Sequence, residues 1–205
     1  KAGDIDRLFS RFRAMQTGGE QNEFDAADFA TTKKQLHERL KGLEKELNEL
    51  LARQYGVHQY NHQAYQKWES SHQPFHWFTE FYGILEQGGF DVIIGNPPYV
   101  QYKKVEKESY SVVGFRTISS NNLFALVMEQ TCSLLVKGGR HGMIVPMSII
   151  STQVASGIKD LLVEKSDLLF ISNYSGDAHP GVLFTGVKMR LSIILGRIAT
   201  QTKHE

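Results

Sequence analysis

One cysteine among 205 residues, Cys132, excludes an internal disulfide and fits a reducing intracellular compartment. It sits in an apolar helical pattern, where a cysteine reads as a small buried hydrophobe and not as a nucleophile. No apolar run approaches the ~20 residues that a membrane-spanning helix requires, and no signal peptide opens the chain. A cytoplasmic protein with no membrane partner is therefore expected. Charge of one sign is lacking as well: 23 Lys and Arg against 22 Asp and Glu leave a formal net charge of +1. That balance neither demands nor excludes nucleic acid, because a basic patch can sit on a neutral whole. The chain starts at Lys1 without a methionine, as a fragment of a longer polypeptide or a processed terminus would. His58, His62, His72 and His76 come with no matching cysteine or carboxylate cluster, so no metal is expected among them, although His58 and His62 stand one helical turn apart.

What is present changes character near residue 74. Residues 1–73 read as a helical arm. Ile5, Leu8, Phe9 and Phe12 recur at helical spacing until Thr17-Gly18-Gly19 interrupts them. A second helix is predicted from about Thr32 to Tyr55. Its Leu36, Leu40, Leu43, Leu47 and Leu50 alternate by four and three, with Lys and Glu between them. That pattern suits an amphipathic helix packed within its own domain or in a hairpin. A short intermolecular coiled coil is the alternative, although about two heptads are fewer than such assemblies sustain.

Residues 74–205 read as a partial α/β core. Phe90-Asp91-Val92-Ile93-Ile94 follows Gly88-Gly89 as a short apolar run and predicts a buried parallel strand. A helix is predicted from about Asn121 to Val136, ended by Lys137-Gly138-Gly139, then a strand from His141 to Val145 stopped by Pro146. A helix from Thr152 to Glu164 and strands at Asp167–Ser172 and Lys188–Leu195 complete the series. Strand, helix, strand, helix, strand, strand is the signature of an α/β sheet with crossovers.

Ligands of such sheets bind beyond the carboxyl ends of the strands, and directly after the first strand comes Gly95-Asn96-Pro97-Pro98-Tyr99. Two consecutive prolines fix both φ angles and remove two backbone donors, so the turn is rigid and presents carbonyl oxygens. Asn96 adds a side-chain oxygen and Tyr99 a flat aromatic face. Together these suit an amino group on a planar ring: the Asn96 amide oxygen and the Pro97 carbonyl accept its two N–H bonds while the tyrosine stacks on the ring. Two acceptors held off the ring plane favour the tetrahedral amine, whose freed lone pair can attack. Neither a metal nor a covalent intermediate is needed, and catalysis rests on orientation and charge stabilisation. Asp91, inside the strand, is expected to serve a structural hydrogen bond.

The string Gly89-Phe90-Asp91-Val92-Ile93-Ile94-Gly95-Asn96-Pro97-Pro98-Tyr99-Val100 resembles the catalytic motif of the large adenine-specific (N6) DNA methyltransferases of type II-like restriction-modification systems. Pro74-Phe75-His76-Trp77 with Glu80-Phe81 is similar to their upstream string, Leu134–Pro146 to their next helix–strand junction, and Gly181-Val182-Leu183-Phe184-Thr185-Gly186-Val187 to their poorly defined eighth motif. The resemblance covers roughly residues 74–195. It implies the C-terminal half of a Rossmann-like class I methyltransferase sheet, S-adenosylmethionine as cofactor and double-stranded DNA as partner. Asn96, Pro97, Pro98 and Tyr99 would be the catalytic loop, with Asn96 also touching the cofactor. Tyr99 and Phe184 would contact a flipped adenine, whose extrusion stacking on Tyr99 helps offset. Lys103, Lys104 and Lys107, just past the loop, are candidates for DNA phosphate contacts.

The family's cofactor motif is missing. Residues 1–74 hold no apolar strand leading into a glycine-rich turn, and Gly138-Gly139-Arg140-His141-Gly142 precedes a strand instead of following one. The chain is thus expected to bind S-adenosylmethionine weakly on its own. It is also expected to cover the bare edge of Phe90–Ile94 by self-association, through that edge or the leucine helix, or with its helical arm. Two other functions remain open. Protein glutamine-N5 methyltransferases carry the same Asn-Pro-Pro-Tyr loop, although they lack the leucine helix and the Phe-His-Trp approach. A non-catalytic interaction fragment is the other.

Overall fold

A computed structural model describes residues 2–17, 26–106, 110, 112, 114–176 and 181–201. They fall into two compact units, Lys1–Gly83 and Ile84–Glu205. The change of character at residue 74 thus lies some way before the division between the units.

The first unit is helical: α1 (Ala2–Thr17), α2 (Ala26–Gln54), α3 (His62–His72) and α4 (Trp77–Glu80). Ile5, Leu36 and Tyr82 form its core, with Leu8, Phe9, Phe12, Leu40 and Leu43 packed around them. The leucine series of α2 therefore packs within its own unit at its N-terminal end. A stripe repeating every 3.5 residues drifts on a helix of 3.6 residues per turn, so Leu50 is 55% exposed while Asn48 and Ala52 are buried. Asn48 is buried with both ends of its amide engaged. Its Nδ2 donates to Glu69 Oε1 at 3.2 Å, and its Oδ1 lies 2.6 Å from His76 Nε2. His58 and His62 do not share a helix, because Asn61 caps α3 between them by accepting from the Ala64 N–H.

The second unit opens with α5 (Tyr82–Leu85), which straddles the division, and continues β1 (Phe90–Gly95), α6 (Tyr102–Glu106), α7 (Leu123–Leu134), β2 (Leu135–Pro146), α8 (Ser148–Ser151), α9 (Ser156–Lys165), β3 (Ser166–Tyr174) and β4 (Leu191–Ile198). The sheet order is β1-β2-β4-β3. β1 and β2 are parallel, whereas β4 is antiparallel to both β2 and β3. Three strands thus share one direction, linked by α7 and α9 as crossovers, with a reversed strand inserted beside the last. This is the α/β sheet with helical crossovers that the alternation of strand and helix patterns predicts.

One face of that sheet is covered. Met143, Val145 and Ile194 are buried against Phe124, Ala125 and Met128 of α7 and Ile158, Leu161 and Leu162 of α9. The other face carries Val92, Ile94, Leu168, Phe170 and Leu195, all exposed.

Several expectations need correcting. α7 ends at Leu134, and Lys137-Gly138-Gly139 lies inside β2. Gly138 has φ 79° there, and the β1–β2 register jumps between Phe90↔Leu135 and Val92↔Arg140, so the glycines build a bulge in a strand instead of a helix end. The segment expected as one helix from Thr152 begins earlier as α8, continues through a 3-10 turn at Gln153–Ala155 and becomes α9. The last strand lies three residues later than its apolar pattern indicates, at Leu191–Ile198. Asp91 is exposed, and its carboxylate makes no hydrogen bond among the described residues. β1 is an edge strand of the sheet with β2 on one side only, and the side chains of Val92 and Ile94 stand exposed, where the strand was expected to be buried.

Candidate active site

β1 ends at Gly95, in register with Met143 of β2, and the next four residues leave the sheet at the carboxyl end of the parallel strands. Pro97 is buried, while Asn96 and Pro98 are exposed. Tyr99 folds back over the strand ends. Its ring is half-buried against the core cluster under the sheet, and its hydroxyl donates towards Asn96 Oδ1 and towards the Ile144 carbonyl of β2 at 3.0 Å. Burial pushes the phenol pKa up, which keeps the hydroxyl protonated and a donor. The hydrogen bond turns the Asn96 amide so that Oδ1 faces the tyrosine. An amide oxygen has two lone pairs, so one acceptor position on Asn96 is left for a ligand.

The far end of the loop is also fastened. The Leu123 N–H donates to the Val100 carbonyl at 2.9 Å, and the Tyr102 N–H to the Asn121 carbonyl at 3.0 Å. The Lys103 N–H donates to Asn121 Oδ1 at 3.2 Å. Asn121 takes φ 52°, a conformation asparagine tolerates better than most residues. Asn122 caps α7 through the Phe124 N–H. From within α7, the Glu129 carboxylate accepts from the preceding segment: the Arg116 N–H at 3.0 Å, the Thr117 N–H at 2.9 Å and the Thr117 hydroxyl at 2.7 Å. Desolvation works to raise the Glu129 pKa, but those donors outweigh it and hold the carboxyl below its ordinary value.

The loop residues Asn96 and Tyr99 are therefore brought together. Phe184 is 40% exposed, in a turn closed by the Val187 N–H donating to its carbonyl. No hydrogen bond or ring contact joins it to the loop among the described residues. The segment after that turn, Val187 to Arg190, faces Pro146, Met147, Ser148 and Ser151 across an open groove of about 770 Å³, beyond the end of β2. Lys103 and Lys104 are exposed on α6. Lys107 lies outside the described residues.

Sequence reasoning missed two parts of this arrangement. Asn121 and Asn122 carried a signal, since asparagine before an apolar run marks a helix start. The Ile144 carbonyl carried none, because every residue has one.

The described residues do not build a pocket for S-adenosylmethionine. Asn96 is exposed, and β1 has no neighbour on its free side to supply the opposing wall.

A model of the family described as Eco57I restriction-modification methylase matches residues 9–179 of the chain. Over 77 residues the chain is 38% identical to a protein of Methanocaldococcus jannaschii named "Putative type II restriction enzyme and methyltransferase", a stretch that is 37% of this chain and 6% of that protein. A nuclease-deletion mutant of the Type ISP restriction-modification enzyme LlaGI, solved with a DNA substrate mimic, is similar with a TM-score of 0.42 and 18% identity, over 62% of this chain and 13% of that one. The ATP-dependent Type ISP enzyme LlaBIII, bound to DNA, gives a TM-score of 0.39 and 18% identity over 60% and 10% of the two chains. The chain thus spans a small part of the length of each of these proteins.

Proposed function

The chain belongs to the Eco57I restriction-modification methylase family, and on that premise we propose that it carries the target-base side of an adenine-N6 DNA methyltransferase. S-adenosylmethionine is the methyl donor of the whole enzyme, and double-stranded DNA its substrate. The observation that carries this reading is the Asn96–Tyr99 loop, set at the carboxyl end of β1 and fastened to β2 through the Tyr99 hydroxyl.

The loop's contribution is positional. The remaining lone pair of Asn96 Oδ1 and the Pro97 carbonyl accept the two N–H bonds of an exocyclic amine. The Tyr99 ring packs against the flipped base. Because the prolines and the Tyr99–Ile144 bond fix the acceptors beforehand, little reorganisation is left when charge develops at nitrogen. Phe184 contacts the base from the turn that leads into the groove. Lys103 and Lys104 meet phosphate oxygens and set the register of the duplex without reading sequence.

The test uses the full-length protein, incubated with S-adenosylmethionine and unmethylated DNA of varied sequence beside an Asn96→Ala variant, with nucleosides then read by mass spectrometry. N6-methyladenine from the unaltered protein, lost in the variant, is the expected result. Methylated glutamine on a peptide-chain release factor, with no methylated adenine, would replace this reading by that of a protein methyltransferase. Silence on both substrates would leave the chain a non-catalytic module.

A further inference from the structure

The candidate loop leaves the sheet at Gly95 and enters α6 at Tyr102, so its shape is set from both ends. Tyr99 fastens the inner end to β2. The outer end depends on Asn121, 18 positions beyond Lys103, and that residue has an uncommon backbone. It takes φ 52° and ψ 30°, in the left-handed region. Among the described residues the other non-glycine residue with positive φ is Gln73, which belongs to the helical unit. A side chain crowds the backbone in that region, and glycine, asparagine and aspartate are the residues that enter it readily.

Three groups of Asn121 are engaged at once. Its N–H donates to the Ile118 carbonyl at 3.0 Å and closes the 3-10 turn Arg116–Ser120. Its carbonyl accepts from the Tyr102 N–H at 3.0 Å, and its Oδ1 from the Lys103 N–H at 3.2 Å. The first N–H groups of a helix have no partner within it, and the two that open α6 are both taken up by this one distant residue. The clamp is itself held from behind. Thr117 in the 3-10 turn is fully buried, and Glu129 of α7 accepts from the Arg116 and Thr117 N–H groups. After Asn121 the chain runs back beside the loop, with Asn122 bridged to Gln101 and the Leu123 N–H on the Val100 carbonyl. A shift of Asn121 therefore moves the backbone that follows Tyr99, while the ladders of the sheet do not depend on it.

We propose that Asn121 is a positioning residue for the methyl transfer, an inference that rests on the proposed function of the Asn96–Tyr99 loop. It lies outside that loop and acts through it. By holding Tyr102 and Lys103 it fixes where the chain leaves Val100, and so keeps the Asn96 Oδ1 and Pro97 carbonyl where the two N–H bonds of the amine meet them. Its loss slows the transfer and leaves the affinity for S-adenosylmethionine alone. The demands on the residue rank its replacements. Aspartate keeps the left-handed backbone, the carbonyl and a side-chain oxygen, whereas glycine keeps the backbone and the carbonyl but has no oxygen for the Lys103 N–H.

The test compares the full-length protein with its Asn121→Gly and Asn121→Asp variants. DNA methylation is measured at saturating DNA over a range of S-adenosylmethionine concentrations. Amide hydrogen exchange is followed by mass spectrometry in the peptide that carries Tyr102 and Lys103. Asn121→Gly is expected to speed exchange in that peptide, because the Lys103 N–H has lost its acceptor. It should also lower kcat roughly 10- to 100-fold, the scale on which small misplacements of reacting groups act, with KM for S-adenosylmethionine unchanged. Asn121→Asp should restore both readouts. A residue that served stability alone would give a glycine variant that melts lower yet turns over at the parent kcat, and that result would overturn the proposal. A kcat lost in the glycine variant and not recovered with aspartate would overturn it as well, since the side-chain oxygen would then not be the group that matters. A parent protein that forms no N6-methyladenine is a separate failure: it removes the reaction itself, and this inference with it, whatever the exchange rates show.

Discussion

Replacing Tyr99 by phenylalanine keeps the ring and removes one hydroxyl, which in this structure holds the Asn96 loop to β2. A single proton is shared between Asn96 Oδ1 and the Ile144 carbonyl, so the pair counts as one bond. A net contribution of about 0.5–1.5 kcal/mol follows. For a domain of the size of Ile84–Glu205, 1 kcal/mol moves the melting temperature by roughly 4 °C. The Tyr99→Phe variant should therefore melt about 2–6 °C below the parent chain. Tyr99→Ala, which also strips the half-buried ring from the core cluster, should lose about 3 kcal/mol, the low end for a buried aromatic. Differential scanning calorimetry of the three chains measures both.

The hydroxyl's raised pKa adds a pH signature. A group that holds its proton more tightly when folded contributes stability that is complete below its unfolded pKa, ~10 for tyrosine. That contribution is lost as pH rises through the higher folded value. The gap between the parent chain and its Tyr99→Phe variant should thus be constant up to about pH 10 and shrink above it. Equal melting temperatures at neutral pH would refute the reasoning outright, since the hydroxyl would then not be fastening the loop. In the full-length protein, Tyr99→Phe should retain much of its methylation activity, because the ring and both amine acceptors remain. Asn96→Ala should lose on the order of 100- to 1,000-fold, the usual cost of removing one fixed hydrogen-bonding group that meets developing charge.

Other perturbations test the frame around the site. At Gly196 an alanine Cβ would come within 2.7 Å of His141 Cε1, and that ring is 3% exposed, so Gly196→Ala should cost about 1–3 kcal/mol in urea denaturation. Combined with His141→Ala it should cost less than the sum of the two single changes. Burial lowers the His141 pKa, so the unfolded chain binds the proton more readily. Stability should be complete above about pH 6.5 and fall as the pH drops below it, by at most ~1.4 kcal/mol per unit, and His141→Leu should flatten that slope in paired melts. Cys132, with its thiol pushed up to about 11, should react with an aromatic disulfide at pH 8 many times more slowly in the folded chain than in urea. Titration calorimetry with S-adenosylmethionine should give no micromolar binding to the 205-residue chain, and a micromolar dissociation constant would show that a cofactor pocket forms without a wall beyond β1.

Local pattern was enough for much of this protein. The apolar run Phe90–Ile94, the rigid Asn96–Tyr99 turn behind it and the alternation of helical and strand periods are properties of neighbouring residues, so the α/β class and the position of the candidate loop were legible in the sequence. The tertiary structure decided what depends on distant partners. Whether Lys137-Gly138-Gly139 ends a helix or bulges a strand turned on Phe90 and Val92 pairing across it. The place of β4, reversed between β2 and β3, follows from ladders between residues tens of positions apart. The leucines of α2 were visible as a stripe, but which of them face the core depended on the drift of a 3.5-residue repeat around a 3.6-residue helix. The bond from Tyr99 to the Ile144 carbonyl joins residues 45 apart and has no signature in the sequence, because any residue there would offer the same oxygen. The open face of the sheet is of the same kind. Val92, Ile94, Leu168, Phe170 and Leu195 looked like core residues one strand at a time, and only the assembled sheet set them on the face opposite the one that α7 and α9 pack against.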